Sequence, residues 1–218
     1  MEEKVKPILA MSLAVVLGGC AASTIYLDLP LDFWGKGRPE TRQLTADIAP
    51  VKSPMLRRLR SMQVKNLLDG EPHRLRISRV GNGIRVRETD GCVWTRSHDW
   101  FAPSDSFARC GTSKNWHTAE ARVRREGSLF PLRVGNTATY EREAVSWNGK
   151  RSTRRTRCVV KDTVEVLRPG QGATPAYVVA CDDGRVQRTT WYAPRKGPVA
   201  YHEIDGENRV RDAWVRID

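Results

Sequence analysis

Between residues 74 and 87 apolar and basic side chains alternate. Leu75 and Ile77 fall between Arg74, Arg76 and their neighbours, Gly81-Asn82-Gly83 interrupts, and Ile84 and Val86 then alternate with Arg85 and Arg87. A period of two sends successive side chains to opposite faces of a strand. The stretch therefore predicts a hairpin with one dry face and one wet, arginine-rich face. Further strands are predicted at 119–125, 136–147, 151–165, 176–182, 185–193, 198–203 and 208–216. Asn148-Gly149, the strongest short hairpin signal, joins the second and third of these. One stretch has another period. In residues 55–68 (MLRRLRSMQVKNLL), Met55, Leu56, Leu59, Met62 and either Val64 or Leu67 lie toward one side, Ser53-Pro54 supplies a cap and first-turn proline, and Gly70 a stop. That spacing predicts an amphipathic helix. Together these elements predict a mainly β fold: an antiparallel meander, closed or half-closed into a barrel, with one N-terminal amphipathic helix.

The N-terminus follows neither period. Residues 7–17 (PILAMSLAVVL) are uninterruptedly small and apolar. They are too few to span a bilayer, which needs about 20, and of the length of a secretory h-region. The run ends in Leu17-Gly18-Gly19-Cys20, which resembles the bacterial lipobox. The preceding MEEKVK balances two Glu against two Lys, where such signals are usually positive. The resemblance implies that Cys20 is diacylated on sulfur, cut free of Gly19 and acylated on its new amino group. Several acyl chains on one residue give stable anchoring where one alone does not. Asp after the cysteine commonly signals inner-membrane retention in such lipoproteins. The Ala21 and Ala22 found here imply an outer-membrane anchor with the protein facing the periplasm. The chain thus divides into a signal peptide at 1–19, a lipidated tether at 20–54 containing five Pro and Gly residues from Pro30 to Pro50, and a β-domain at 55–218.

Export into an oxidising compartment turns the other cysteines into disulfide candidates. Cys92, Cys110, Cys158 and Cys181 allow three pairings. A hairpin centred between Pro169 and Gly170 sets Cys158 opposite Cys181, close enough to bridge. Cys92 then pairs with Cys110 by elimination, closing a loop that holds Trp94, Trp100 and Phe101. No cysteine pair has C-x-x-C spacing and no histidine pair H-x₃₋₅-H spacing, so the pattern favours staples over zinc.

The sequence offers no catalytic constellation. His73, His98, His117 and His202 are scattered, and Ser97-His98-Asp99 lists the three triad types as neighbours, which an extended backbone points to opposite faces. No cofactor or metal site is expected. A formal charge of +12 would inside a cell suggest nucleic acid first. Outside it, the acidic partners are lipid headgroups and anionic envelope polymers, and arginine also simply keeps outward strand faces in water. Thr189-Thr190-Trp191-Tyr192-Ala193-Pro194 with Gly197-Pro198-Val199 resembles a W-Y-A-P…G-x-V segment of exported bacterial β-proteins of unknown activity. The resulting expectation is a non-enzymatic binding or envelope-assembly accessory that contacts the membrane through its anchor, and envelope polymers or another envelope protein through its domain. The alternative is a lipid or lipoprotein carrier with an apolar cavity between sheet and helix, similar to the outer-membrane lipoprotein receptor family in length, anchor and predicted half-barrel. An envelope hydrolase stands third.

Overall fold

Gly81, with φ +53°, and Gly149, with φ +79°, occupy left-handed backbone at the two predicted hairpin turns, a conformation that costs glycine little. The turns join antiparallel strands whose registers run from Val80 opposite Gly83 and from Val145 opposite Arg151. The computed structural model describes residues 37–44, 47–53, 60–110 and 113–218. The signal peptide, Cys20, the tether as far as residue 36 and at residue 54, and residues 55–59 of the predicted helix lie outside the described residues.

Thirteen strands follow one another: β1 (Thr41–Gln43), β2 (Ser61–Asn66), β3 (Pro72–Val80), β4 (Gly83–Arg87), β5 (Val93–Ser97), β6 (Ser106–Ala108), β7 (Ala119–Gly127), β8 (Thr137–Ser146), β9 (Arg151–Arg168), β10 (Gly172–Asp182), β11 (Val186–Ala193), β12 (Gly197–Asp205) and β13 (Val210–Arg216). Each pairs antiparallel with the next from β2 onward. β13 returns to β2 and β8 pairs with β9, so twelve strands close a barrel, while β1 lies along the far half of β9. The meander is fully closed, and among the described residues there is no helix.

The predicted helix is corrected over its second half. Residues 61–66 form β2, whose Met62 and Val64 are buried while Ser61, Gln63 and Lys65 are exposed. Met62 belongs to both templates, to the i, i+3, i+4 series with Leu59 and to an alternating series with Val64. Pairing with β3 and β13 decides for the second. The fold also starts earlier than residue 55. β1 pairs with β9, Val51 bridges Leu132 and is buried in the core, and Tyr177 donates its hydroxyl hydrogen to the Ile48 carbonyl at 3.1 Å.

Outward positions are charged where they face solvent. Arg74, Arg76, Arg85, Arg87, Glu120, Arg122, Arg124, Arg155 and Arg157 are all exposed, the reverse of the apolar outer band that a membrane-spanning barrel needs. One sector differs. The main core fills the lumen with Met62, Ile84, Val86, Tyr140, Val160, Val179, Tyr192 and others. A second core joins Val166, Ala176, Trp191, Ala193, Val199, Ala200 and Val215. Neighbours along a strand divide between the two, Trp191 from Tyr192 and Val215 from Trp214, so they lie on opposite faces of the sheet. The second core is closed by the ends of the strands. Arg168 donates from Nε to the Arg216 carbonyl at 3.0 Å and from Nη2 to that of Asp218, and Arg216 donates to the Lys196 carbonyl at 2.8 Å. The entering chain crosses the same outer side at Gly37. A Cβ there would lie 3.0 Å from Leu68 Cδ2 and 3.3 Å from Ala213 Cβ, and the backbone is left-handed at φ +104°, so crowding and conformation together favour glycine.

A β-bulge serves both cores. The three-residue turn sets Gly172 opposite Arg168 and Val178 opposite Asp162, but Val179 faces Val160, leaving Lys161 as the extra residue. Without it Cys181 would face Val159. With it Cys181 faces Cys158, and the two form a disulfide. The same insertion turns Val164 and Val166 outward to the second core while Cys158 and Val160 stay inward.

Candidate functional site

The β5–β6 connection does not stay outside the barrel. Residues 98–105 fold into the lumen, where Asp99, Trp100, Phe101 and Ala102 are buried. Asp99 accepts hydrogen bonds from Tyr140 Oη at 2.6 Å and Phe101 N at 3.0 Å, and Arg125 reaches it at 3.6 Å. A buried phenol against a carboxylate is held firmly neutral: burial, then the Asp99 charge, push the Tyr140 hydroxyl far above its ordinary range. Phe101 packs on Phe130 and Tyr192 with ring centres 5.8 and 5.5 Å apart. The segment is a plug, and the Cys92–Cys110 disulfide ties the other end of its β5–β6 hairpin.

Above the plug the lumen is open, forming a cup of about 910 Å³, a size ordinary for a small-molecule site. Its floor includes Phe101, Ala102, Thr156 and Thr190, all buried. Its rim includes Asp90 and Arg185 in turns and Arg151 at the start of β9, all exposed and at one end of the barrel. Between floor and rim the walls are charged. Arg188 on β11 bridges Asp183 at 3.1 Å and Glu203 at 3.0 Å, and Tyr201 donates to Glu203 at 2.6 Å. Burial works against charge on both Arg188 and Asp183. The partners win: Tyr201, Glu203 and Asp183 raise the arginine, and Arg188 with two backbone amides lowers the aspartate.

Other groups lack such compensation. Arg96 lies with its guanidinium carbon 4.2 Å from the Trp94 ring centre and 5.2 Å from that of Trp100, a cation–π sandwich. Burial lowers its pKa to about 10, and Nε has no hydrogen-bond partner among the described residues. Arg142 donates Nε to the Ser104 carbonyl at 2.8 Å, while its buried Nη2 bonds to nothing among the described residues. Its pKa falls through burial, then through Arg154 and Arg188. Glu88 accepts from Trp94 Nε1 at 2.6 Å and is nevertheless pushed up, mainly by burial. Asp212, facing Glu203 across β12 and β13, is raised to about 6 by burial, then by Glu88 and Glu203.

That last value has a measurable consequence. A carboxyl raised in the folded state opposes folding wherever it must be ionised, here above about pH 6. The cost fades as pH falls through 6 toward the ordinary 3.8. Asp212→Asn should raise the unfolding free energy by about 2 kcal/mol at pH 8 and leave it unchanged at pH 4. Urea midpoints at the two pH values check this, and an equal gain at both would refute the electrostatic origin.

Of the residues singled out from sequence, Cys181 lies in the cup wall and Cys158 beside it in the core. His98, His117 and His202 do not line the cup, and the structure does not bring them together there. His117 packs on Trp147, and His202 is lowered by burial and by Arg38. Ser97-His98-Asp99 belongs to the root of the plug, where Asp99 holds Tyr140. Among the described residues no group of His, Cys, Asp or Glu is arranged to hold a metal ion. Arg96, Arg142, Arg188, Glu88, Glu203 and Asp212 were invisible as a group in the sequence. Set against known proteins, the chain matches no family model, no curated protein and no solved structure.

Proposed function

We propose that the protein is a binding accessory of the bacterial envelope, anchored in the outer membrane through lipidated Cys20 and facing the periplasm, whose barrel interior receives a polar ligand or an exposed group of an envelope component. The observation that carries this reading is the cup, a cavity of about 910 Å³ with buried guanidiniums whose hydrogen-bonding capacity is not used up. Unused buried donors cost a folded protein stability, and a bound acceptor recovers it. The anchor rests on the Leu17-Gly18-Gly19-Cys20 motif and its resemblance, and the exposed charges on the outer wall suit a barrel that stands in water beside a membrane.

The carrier reading is less well supported. A carrier of acyl chains needs an apolar lining, and arginines and carboxylates wall this cup. An envelope hydrolase has buried carboxylates to draw on, but among the described residues the hydroxyl facing one in the cup, Tyr201 on Glu203, is tied up with the Arg188 bridge.

One pair of measurements tests both halves. Cells grown with a clickable fatty acid should label the native protein and not Cys20→Ala. Label on the variant would overturn the lipid anchor. Native mass spectrometry of both proteins from envelope extracts should show a noncovalent adduct of small mass, lost in Arg142→Gln. Adduct-free spectra from every extract would overturn the binding role.

A further inference from the structure

Most charges in the cup are sorted by wall, the exception being Arg96, which lies against Trp94 and Trp100 and near enough to Glu88 for its charge to oppose the effect of burial there. Arg142 and Arg154 sit on the adjacent strands β8 and β9, facing the lumen beside the buried Thr156. Glu88 lies at the β4–β5 turn and Asp212 on β13. In the closed ring of twelve, β8 is four strands from β4 in one direction and five from β13 in the other, so the two sets face each other across the lumen. Between them, the Arg188–Asp183–Glu203 bridges neutralise their own members. Arg154 joins those bridges at Asp183, 3.7 Å away, and Arg96 is held by the tryptophan faces. What remains is a cationic pole at Arg142 and an anionic pole at Glu88 and Asp212, neither with a salt-bridge partner of opposite sign among the described residues. His73, which also lines the cup, has its Nε2 3.9 Å from Asp69 and stands on the same side as Glu88 and Asp212. Trp94, Trp100, Phe107 and Trp214 fill the wall between the poles.

From this arrangement, and resting on the binding role proposed above, we infer that the ligand is dipolar and extended: a short peptide with free termini, its carboxylate end on Arg142 and its ammonium end between Glu88 and Asp212, its middle against the tryptophans. An uncharged sugar leaves both poles unpaired, which is costly in a buried site. A purely anionic ligand meets Glu88 and Asp212 unfavourably. Phosphoethanolamine is dipolar, but its charges are two carbons apart and cannot reach opposite walls. The cup volume admits a few amino-acid residues and not a folded chain.

The test is titration calorimetry on the full-length protein in detergent at pH 7.5, with five probes: trialanine, N-acetyl-trialanine, trialanine amide, phosphoethanolamine and N-acetylglucosamine. Trialanine should bind, and blocking either end should weaken it by about tenfold or more, as loss of one partner of a desolvated charge pair does. Arg142→Gln should abolish the discrimination against the amide while keeping that against the acetyl form. Asp212→Asn should do the converse. This crossed pattern distinguishes a ligand contact from general damage to the cup. If blocked and free peptides bind alike, or only phosphoethanolamine or the sugar binds, the dipolar peptide is overturned while the binding role survives. If none of the five binds, both fall.

Discussion

Replacing Asp99 with Ala should lower the unfolding free energy by about 3 kcal/mol. Three groups converge on this carboxylate: the Tyr140 hydroxyl at 2.6 Å, the Phe101 amide at 3.0 Å and the Arg125 guanidinium at 3.6 Å. Truncation strands a buried phenol and a buried amide at once, and each such orphan costs about 1–3 kcal/mol. Tyr140→Phe removes only one donor and leaves the carboxylate with two others, so its cost should be about 1 kcal/mol. Urea denaturation of the two variants and the native protein measures the contrast. Because the plug forms the floor of the cup, Asp99→Ala should also redshift the emission of Trp100, which is only 5% exposed. A loss equal to that of Tyr140→Phe would show that Asp99 does not hold the plug.

The second large effect concerns the two disulfides, which should behave differently although chain entropy treats them alike. Their sequence separations, 18 for Cys92–Cys110 and 23 for Cys158–Cys181, each correspond to about 3 kcal/mol of unfolded-state constraint. Their surroundings differ. Cys158 is wholly buried between two strands in the core, whereas Cys110 is partly exposed at the end of its hairpin. Dithiothreitol should therefore open Cys92–Cys110 in the native protein well before Cys158–Cys181, whose one approach is Cys181 in the cup wall, only 7% exposed. Timed alkylation and peptide mapping would show two separate phases. The double variant Cys158→Ala, Cys181→Ala should lose about 3 kcal/mol. Simultaneous reduction of both bridges without denaturant would contradict the burial argument.

Much of the barrel was legible because its signals are local. Gly81-Asn82-Gly83 and Asn148-Gly149 require left-handed backbone, and alternation does the rest over β3, β4, β7, β8 and β9. The segment at 55–68 misled because Met62 satisfies two periods, and long-range pairing with β13, which sequence spacing does not report, chooses between them. β5 and β6 were read only as a bracketed loop: they are short, and residues 98–105 between them carry the apolar side chains of a plug. The cup was hidden for a different reason. In Arg151-Ser152-Thr153-Arg154-Arg155-Thr156-Arg157, Arg154 faces the lumen and Arg155 the solvent, yet the residue type is the same. A basic strand reads as a wetted one whichever side its arginines take. The second core left its trace in continuous apolar runs such as Trp191-Tyr192-Ala193. Three adjacent buried residues there imply a strand covered on both faces, and the structure divides them between the two cores.

Lys161 makes the length of β9 a coded quantity. Turn residues 169–171 connect strands whose pairing beyond them is already determined, so an added residue there is absorbed as a larger loop. An added or missing residue at 161 has nowhere to go. It moves Cys158 away from Cys181 and turns Val164 and Val166 from one core toward the other in a single step. Length can therefore vary at the loops far more easily than at Lys161, an exposed lysine whose part is its place in the count.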